Sequence, residues 1–281
     1  MRRNHAVYFC ASVLLGAIPS MLTAATTIIP QSALVASTSY YTDTLGPNIV
    51  TTGGGNAANI GMASGRNDDG YMALDLGFSF TLFGTTYTSL FINNNGNVSF
   101  NNGISAYEPQ GPTGAIAPVI SPWFGDVDTR NGASGVTHYL LSGEELVVTW
   151  DQVGYYNSGA AALNSFQLVL RSDDYVIPNG QGQIGFFYKD MGWETTGTST
   201  TAAVGFGDGT GNSEVLAGST QSGLNTVVAN HHLWFDENLV VVPPVESPVP
   251  EPATWAMMIA GFGLAGAFMR RGKGAVQLRY V

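Results

Sequence analysis

The chain has 281 residues, enough for one large domain or two small ones. Charged residues make up 11% of it, against roughly 25% in an ordinary globular domain, whereas glycine contributes 36 residues and the apolar share is 44%. This composition argues against a coiled coil, a helical bundle and disorder from too little core material. It favours a turn-rich, all-β protein outside the cytoplasm.

The charge is distributed unevenly along the chain. All 20 acidic residues lie between Asp43 and Glu251, and this stretch has four basic residues, so its net charge is −16. Such a surface repels phosphate backbones, so nucleic acid is not an expected partner. Divalent cations and basic or neutral glycans are better candidates.

The first 25 residues have the pattern of a secretory signal peptide. Arg2 and Arg3 form a basic start, residues 7–18 are apolar, and small residues precede a predicted cut after Ala25. The alternative is a membrane anchor, for which the apolar run is short. Because the single cysteine, Cys10, lies inside this segment, the mature protein is expected to have no disulfide and no thiolate metal site.

From residue 75 onward the apolar pattern has a period of two, which predicts strands. Residues 90–92 and 98–100 flank an Asn/Gly-rich turn and predict a hairpin, and residues 136–141 and 144–150 flank Ser142-Gly143 and predict another. Many short antiparallel strands predict a β-sandwich or a barrel-like domain. Further strands are predicted at 166–170, 183–188, 201–206 and 231–235.

The segment around residue 126 offers the best candidate for metal chemistry. Asp126 and Asp128 are two residues apart, so an extended backbone would place both carboxylates on one side. Two interpretations stay open: a weak Ca²⁺ site on these two residues, or ion pairing of one aspartate with Arg130. Ca²⁺ is the single cofactor suggested, and no catalytic residue is identified.

Other acidic and aromatic residues have simpler interpretations. The adjacent carboxylates Asp68-Asp69, Glu144-Glu145 and Asp173-Asp174 lie near predicted turns and are expected to be solvated. Tryptophan side chains could stack on sugars, but they more often lie in a core. The tryptophans of the central region are Trp123, Trp150, Trp193 and Trp234.

The central region resembles the nidogen-like (NIDO) domain, most strongly over residues 75–218. Residues 116–130, Ile-Ala-Pro-Val-Ile-Ser-Pro-Trp-Phe-Gly-Asp-Val-Asp-Thr-Arg, are similar to the core motif of that family. Residues 164–170, 185–188 and 203–207 match its later segments in order. The resemblance implies an extracellular domain of matrix or cell-matrix adhesion proteins, without enzymatic activity, and we assign residues 26–240 to it.

The C-terminal end resembles the PEP-CTERM sorting signal in its PEPxxWA form. A proline-rich spacer and the motif itself occupy residues 241–252, and an apolar stretch with a basic end follows at 253–281. The matching residues are Pro250, Glu251, Pro252, Trp255, Ala256, Arg270 and Arg271. The resemblance implies processing by an exosortase of a Gram-negative bacterium and association with exopolysaccharide or biofilm.

The apolar stretch 253–269 would be about 25 Å long as a helix, and it is predicted to cross the inner membrane before processing. Arg270, Arg271 and Lys273 would hold the end inside. A permanent single-span anchor is the alternative to a transient one.

Taken together, the sequence predicts a non-enzymatic exported protein of the cell surface or extracellular matrix, with a role in adhesion or biofilm structure. The expected partners are an exosortase-type enzyme and exopolysaccharide or matrix proteins. The alternatives are a secreted carbohydrate-binding module and, less favoured, a glycan hydrolase with two convergent carboxylates.

Overall fold

The computed structural model describes residues 25–51, 64–107, 114–195, 201–245 and 252–271, with only the backbone at 252–254 and 271. Within these ranges the chain forms β-strands, a 3₁₀ turn at Gln31–Ala33, and two helices, α1 (Leu224–Val228) and α2 (Pro252–Arg271). The strands are β1 (Thr26–Ile29), β2 (Val35–Ala36), β3 (Asn48–Ile49), β4 (Tyr71–Leu82), β5 (Thr85–Asn93), β6 (Asn97–Ser99), β7 (Pro118–Phe124), β8 (Thr137–Ser142), β9 (Glu145–Tyr155), β10 (Gly159–Arg171), β11 (Ile184–Met191), β12 (Ala203–Asp208), β13 (Ser213–Leu216) and β14 (His231–Phe235).

The strands form two sheets of seven strands each. The first sheet has the order β1-β13-β12-β7-β6-β5-β4, and the second has the order β2-β14-β11-β10-β9-β8-β3. Neighbouring strands are antiparallel, except that β1 runs parallel to β13. The predicted all-β, antiparallel sandwich is therefore confirmed, and α1 adds a single short helical turn to the domain.

Both predicted hairpins are present. β5 and β6 pair through Asn93 and Asn97 around a tight turn, and β8 and β9 pair through Ser142 and Glu145. β7 was not expected as a strand, although it is the central strand of the first sheet. Its two prolines, Pro118 and Pro122, hide the strand pattern because proline is depleted in sheet interiors.

The core lies between the sheets and follows from the period-two pattern. Along β9, Leu146 and Val148 belong to this core, whereas Val147 packs on the outer face of the second sheet with Trp234 and other apolar residues. The tryptophans that could have bound sugars are buried as well, three of them in the core and Trp234 on the outer face. The exposed fractions are 0% for Trp123, 0% for Trp150, 6% for Trp193 and 4% for Trp234.

The turn between β5 and β6 requires glycine. Gly96 has a φ of +76°, and a Cβ atom there would lie 1.8 Å from the carbonyl oxygen of Trp123. A side chain is therefore excluded by backbone conformation and by space. This close approach holds the turn against the end of β7, where Asp126 and Asp128 follow.

Helix α2 lies at the C-terminal end, and its residues 255–270 are exposed. Among the residues that the structure describes, no helix combines the length and the apolar character that crossing a membrane requires. The membrane-crossing helix predicted at 253–269 is therefore not found in the described part of the chain. Residues 1–24 of the predicted signal segment 1–25 lie outside the described residues, as do Pro250 and Glu251.

Candidate acidic site at one end of the sandwich

Three loops meet at one end of the sandwich, and one of them is the turn that contains Gly96. They are residues 64–70 before β4, residues 94–96 between β5 and β6, and residues 125–130 after β7. Asn94 joins the loops, because its backbone N–H donates to the Gly70 carbonyl at 2.8 Å and its side-chain amide donates to the carbonyls of Asp68, at 2.5 Å, and Val127.

The acidic cluster consists of Asp68, Asp69 and Asp126, which the three-loop contact brings together. Their exposed fractions are 3%, 8% and 2%. One carboxylate oxygen from each lies within 4.8 Å of the others. The expectation that Asp68-Asp69 is a solvated turn is wrong, because Asn67 Oδ1 accepts hydrogen bonds from the backbone of Asp68 and Gly70 and folds the loop inward, against the Asn94 turn.

Asp128 has a different environment from Asp126. Its Oδ1 accepts a hydrogen bond from Arg130 Nε at 2.9 Å, and its Oδ2 is 2.5 Å from Arg130 Nη2 and 2.7 Å from the backbone nitrogen of Ser158. Of the two interpretations left open by the sequence, the structure contains the ion pair, which Arg130 forms with Asp128. Asp126 lies with Asp68 and Asp69, and it does not form a two-carboxylate site with Asp128.

The same arginine also contacts the acidic cluster, but it does not balance the charge there. Arg130 Nη2 lies 2.8 Å from Asp68 Oδ2. Burial raises the pKa of Asp126 to about 8, and repulsion from Asp68, Asp69 and Asp128 adds to this effect. Burial likewise raises the pKa of Asp68 to about 7, and it raises the pKa of Asp69. Fully ionised, the cluster would hold more negative charge than one shared guanidinium can offset.

Asn95 lies against the cluster and is 1% exposed. Its Nδ2 donates hydrogen bonds to Asp69 Oδ1 at 3.0 Å and to the Ala106 carbonyl at 3.1 Å. Among the residues that the structure describes, neither Asn95 Oδ1 nor Asp68 Oδ1 has a hydrogen-bond partner. The groups that could hold a cation are therefore the carboxylates of Asp68, Asp69 and Asp126 and the amide oxygen of Asn95.

A second buried charge lies on the outer face of the second sheet. Arg171 is fully buried, and its guanidinium bonds Glu145 Oε2 at 3.0 Å, the Gly182 carbonyl at 2.9 Å, Gln181 Oε1 at 2.5 Å and the Tyr41 hydroxyl at 3.1 Å. The guanidinium carbon also lies 4.5 Å from the ring centre of Trp234. Glu145, expected to be solvated, is instead 15% exposed and tied into this ion pair.

A surface pocket of about 420 Å³ lies elsewhere, beside Trp193, Glu194 and Asn225. The single acid among its lining residues is Glu194, whose carboxylate accepts hydrogen bonds from the backbone of Gly223 and Asn225. The pocket therefore does not present two opposed carboxylates, which hydrolysis of a glycan would require.

The predicted processing residues lie at the two ends of the described chain. Ala25 directly precedes β1, its backbone nitrogen bonds Asn212 Oδ1 at 2.9 Å, and its carbonyl accepts a hydrogen bond from Ser213 at 2.9 Å. Pro252 is the first residue of α2, and the helix ends at Arg271. Trp255 is 54% exposed, and Ala256 and Arg270 are exposed on the same helix.

Comparison with known proteins gives two family matches. The model of the PEP-CTERM protein-sorting motif matches residues 248–273, which contain the motif identified above. The model described as NIDO related matches residues 36–236, a region that includes all three loops of the acidic cluster. The two matches together support an exported, extracellular protein.

Individual relatives match part of the chain. Chicken alpha-tectorin is 30% identical over 162 residues, covering 47% of this chain and 7% of the relative, and human alpha-tectorin is 29% identical over the same length. Drosophila nidogen is 27% identical over 228 residues, covering 65% of this chain and 16% of the relative. The chain therefore spans less than a fifth of these relatives, and no solved structure matches it significantly. Since the family match covers well over half of its residues, the chain belongs to the NIDO-related family.

Proposed function

We propose that this chain is a non-enzymatic protein displayed on the cell surface or in the extracellular matrix, where it serves adhesion or biofilm structure. Residues 1–25 are removed during export, residues 26–240 form the working domain, and an exosortase acts at the Pro250-Glu251-Pro252 motif. The observation that carries the proposal is one chain holding both a NIDO-related domain and a PEP-CTERM motif.

The chemistry of the domain supports a binding role in place of catalysis. The acids of the cluster are at least 92% buried, so a polymeric substrate could not reach them. The described pocket has a single acid, Glu194, whose carboxylate accepts hydrogen bonds from backbone N–H groups. The four tryptophans of the domain are also buried, which counts against sugar stacking on them. The net charge of −16 between Asp43 and Glu251 favours cationic or neutral matrix partners.

The first test follows processing by intact mass in a host that contains an exosortase. We expect the released protein to lack residues 1–25 and everything beyond the Pro-Glu-Pro motif. Glu251→Ala should remain cell-associated with its C-terminal segment, whereas the control Glu237→Ala, at an exposed acid before the spacer, should be processed normally. Released protein that still carries Trp255 and the Arg270-Arg271 pair would contradict the sorting proposal.

The second test addresses adhesion. A strain lacking the chain is compared with strains that express the wild type or the Glu251→Ala variant, and biofilm mass and retention on exopolysaccharide-coated surfaces are measured. We expect both to fall in the deletion strain and to be restored by the wild type alone. Equal biofilm in all three strains would exclude the adhesive role while leaving the sorting result intact.

A further inference from the structure

Two buried oxygen atoms of the acidic cluster have no partner in the part of the chain that the structure describes. Asp68 Oδ1 and Asn95 Oδ1 are both inaccessible to solvent and accept no hydrogen bond from the described residues. A buried polar atom without a partner has lost its hydration and gained nothing in return, which costs roughly 1–3 kcal/mol for a neutral group and more for a charged one. Such atoms call for a ligand that the protein's own groups do not provide.

The missing ligand has to be positive. Asp68, Asp69 and Asp126 bring three carboxylates together, and Asp128 stands nearby with its charge matched to Arg130. Within the described ranges, the cation that pairs with this group is Arg130, and it is shared between Asp128 and Asp68. The nearby Arg66 donates to the carbonyls of Thr129, Asn131 and Ser134. The arrangement is thus short of positive charge at the centre of three loops.

The geometry points to a Ca²⁺ site formed by the carboxylates of Asp68, Asp69 and Asp126, with Asn95 Oδ1 as a neutral oxygen donor. Ca²⁺ takes 6–8 oxygen ligands at 2.3–2.6 Å, so two ligands on opposite sides of the ion are about 5 Å apart. The carboxylate oxygens, all within 4.8 Å of one another, fit around such an ion. The smaller octahedral Mg²⁺ needs a tighter shell, and a donor set without sulfur or imidazole does not favour zinc.

This site differs from the pair Asp126 and Asp128 suggested by the sequence. Both carboxylate oxygens of Asp128 already accept hydrogen bonds, from Arg130 and from the backbone of Ser158. The loop before β4 provides Asp68 and Asp69, the turn between β5 and β6 provides Asn95, and the loop after β7 provides Asp126. A bound ion would therefore add a cross-link between segments that Asn94, Arg66 and the Arg130–Asp68 ion pair already join. The inference concerns the stability of this end of the domain and does not depend on how the protein is sorted or what it adheres to.

The experiment measures the melting temperature of the full chain after EGTA treatment and removal of the chelator, with and without Ca²⁺. At a concentration about 100 times the dissociation constant, we expect a rise of roughly 5–10 °C. Mg²⁺ at the same concentration should give a clearly smaller rise, and KCl at matched ionic strength should give none. Terbium luminescence sensitised by tryptophan, with Ca²⁺ as competitor, measures binding without unfolding the protein.

Two ligand variants and one control make the assignment specific. Asp126→Asn and Asp69→Asn should each lose most of the Ca²⁺-dependent rise and of the terbium signal while keeping the far-UV spectrum of the wild type. Asp75→Asn, at an exposed carboxylate on β4, should keep both. A melting temperature that does not respond to about 10 mM Ca²⁺, which is well above the weakest affinities of extracellular calcium modules, would overturn the inference. An equal response in Asp75→Asn and both ligand variants would overturn it as well.

Discussion

The two buried charge clusters of this domain differ in how completely their polar groups are partnered. On the outer face of the second sheet, Arg171 and Glu145 form an ion pair in which the guanidinium also binds Gly182, Gln181 and Tyr41. At the end of the sandwich, Asp68 alone of the three clustered acids pairs with Arg130, which Asp128 also binds, and two buried oxygen atoms have no partner among the described residues. The first cluster is complete, whereas the second is short of positive charge.

The difference indicates what each cluster does. A buried guanidinium whose three nitrogen atoms all have hydrogen-bond partners is a structural element, since removing either member of the ion pair leaves the other uncompensated. A cluster of like charges with unpartnered oxygens weakens the fold unless a counter-ion joins it. We therefore expect opposite responses when one acid is neutralised in each cluster.

The largest effect is expected at Arg171. Replacing Arg171 with Ala leaves Glu145 and the Gly182 carbonyl without their donor and removes the cation from the aromatic ring of Trp234. The free energy of unfolding should fall by about 3–5 kcal/mol, as measured by urea denaturation. This loss should be the same with EGTA and with Ca²⁺.

A surface ion pair provides the control for that measurement. Lys189 and Asp43 are 3.7 Å apart and solvent-accessible, with 35% and 85% of their side chains exposed. Lys189→Ala should change the free energy of unfolding by less than about 1 kcal/mol. A comparable cost for Lys189→Ala and Arg171→Ala would contradict the structural role assigned to the Arg171 cluster.

A smaller effect, of opposite sign, is expected at Asp126 when no divalent cation is present. The folded-state pKa of Asp126 is raised to about 8 from the usual 3.8. The protonated form is therefore favoured by folding, so its contribution to stability is fully present below pH 3.8 and is lost as the pH rises through about 8. Asp126→Asn cannot ionise, so in EGTA its advantage in stability over the wild type should vanish below about pH 3.8 and should grow by about 1–3 kcal/mol between pH 5 and pH 9.

The corresponding substitution in the complete cluster should behave differently. Glu145→Gln weakens the ion pair with Arg171, so it should lower the free energy of unfolding at both pH values. Urea titrations of the two variants and the wild type at pH 5 and pH 9 make the comparison. A loss of stability in Asp126→Asn at pH 9 would mean that the acidic cluster is held together by bonds that the structure does not contain.

The smallest effect is expected at His232, which lies on the same outer face as Arg171. Burial lowers the pKa of His232 below 6.5, and the neighbouring His231 lowers it further, while its ring stacks on Phe187 at 5.2 Å. Its neutral form is favoured by folding, so stability is fully present above pH 6.5 and is lost as the pH falls through the lower folded-state pKa. His232→Gln should therefore reduce the stability difference between pH 7.5 and pH 5. An unchanged difference would show that His232 does not titrate on unfolding.

Local patterns were sufficient for much of the fold. The alternation along residues 145–150 and the Asn/Gly turn at 93–97 are set by backbone and side-chain preferences of neighbouring residues, so strands β5, β6, β8 and β9 could be predicted. Pairings between distant segments, such as Thr26–Ile29 with Ser213–Leu216, depend on tertiary packing that no local pattern specifies. The two prolines of β7 concealed a central strand for a different reason, because proline is depleted in sheet interiors.

The acidic cluster shows the same limit at the level of a site. Asn67-Asp68-Asp69-Gly70 has the composition of an exposed turn, and nothing within it signals burial. It is buried because Asn94, more than twenty residues later, binds its backbone. The pairing of Arg130 with Asp128 could be anticipated because the two residues are close in sequence. The approach of Asp68 and Asp69 to Asp126 could not, because these residues are distant in sequence.

The most direct test of the central claim, that the acidic cluster is completed by a cation, is a crystal structure of the protein grown with Ca²⁺ or with Mn²⁺ as an anomalous substitute. We expect a peak between Asp68, Asp69 and Asp126, with carboxylate oxygens at about 2.3–2.6 Å for Ca²⁺ and with Asn95 Oδ1 turned toward it. A peak at another position, or an acidic cluster that stays unchanged and metal-free at saturating Ca²⁺, would contradict it.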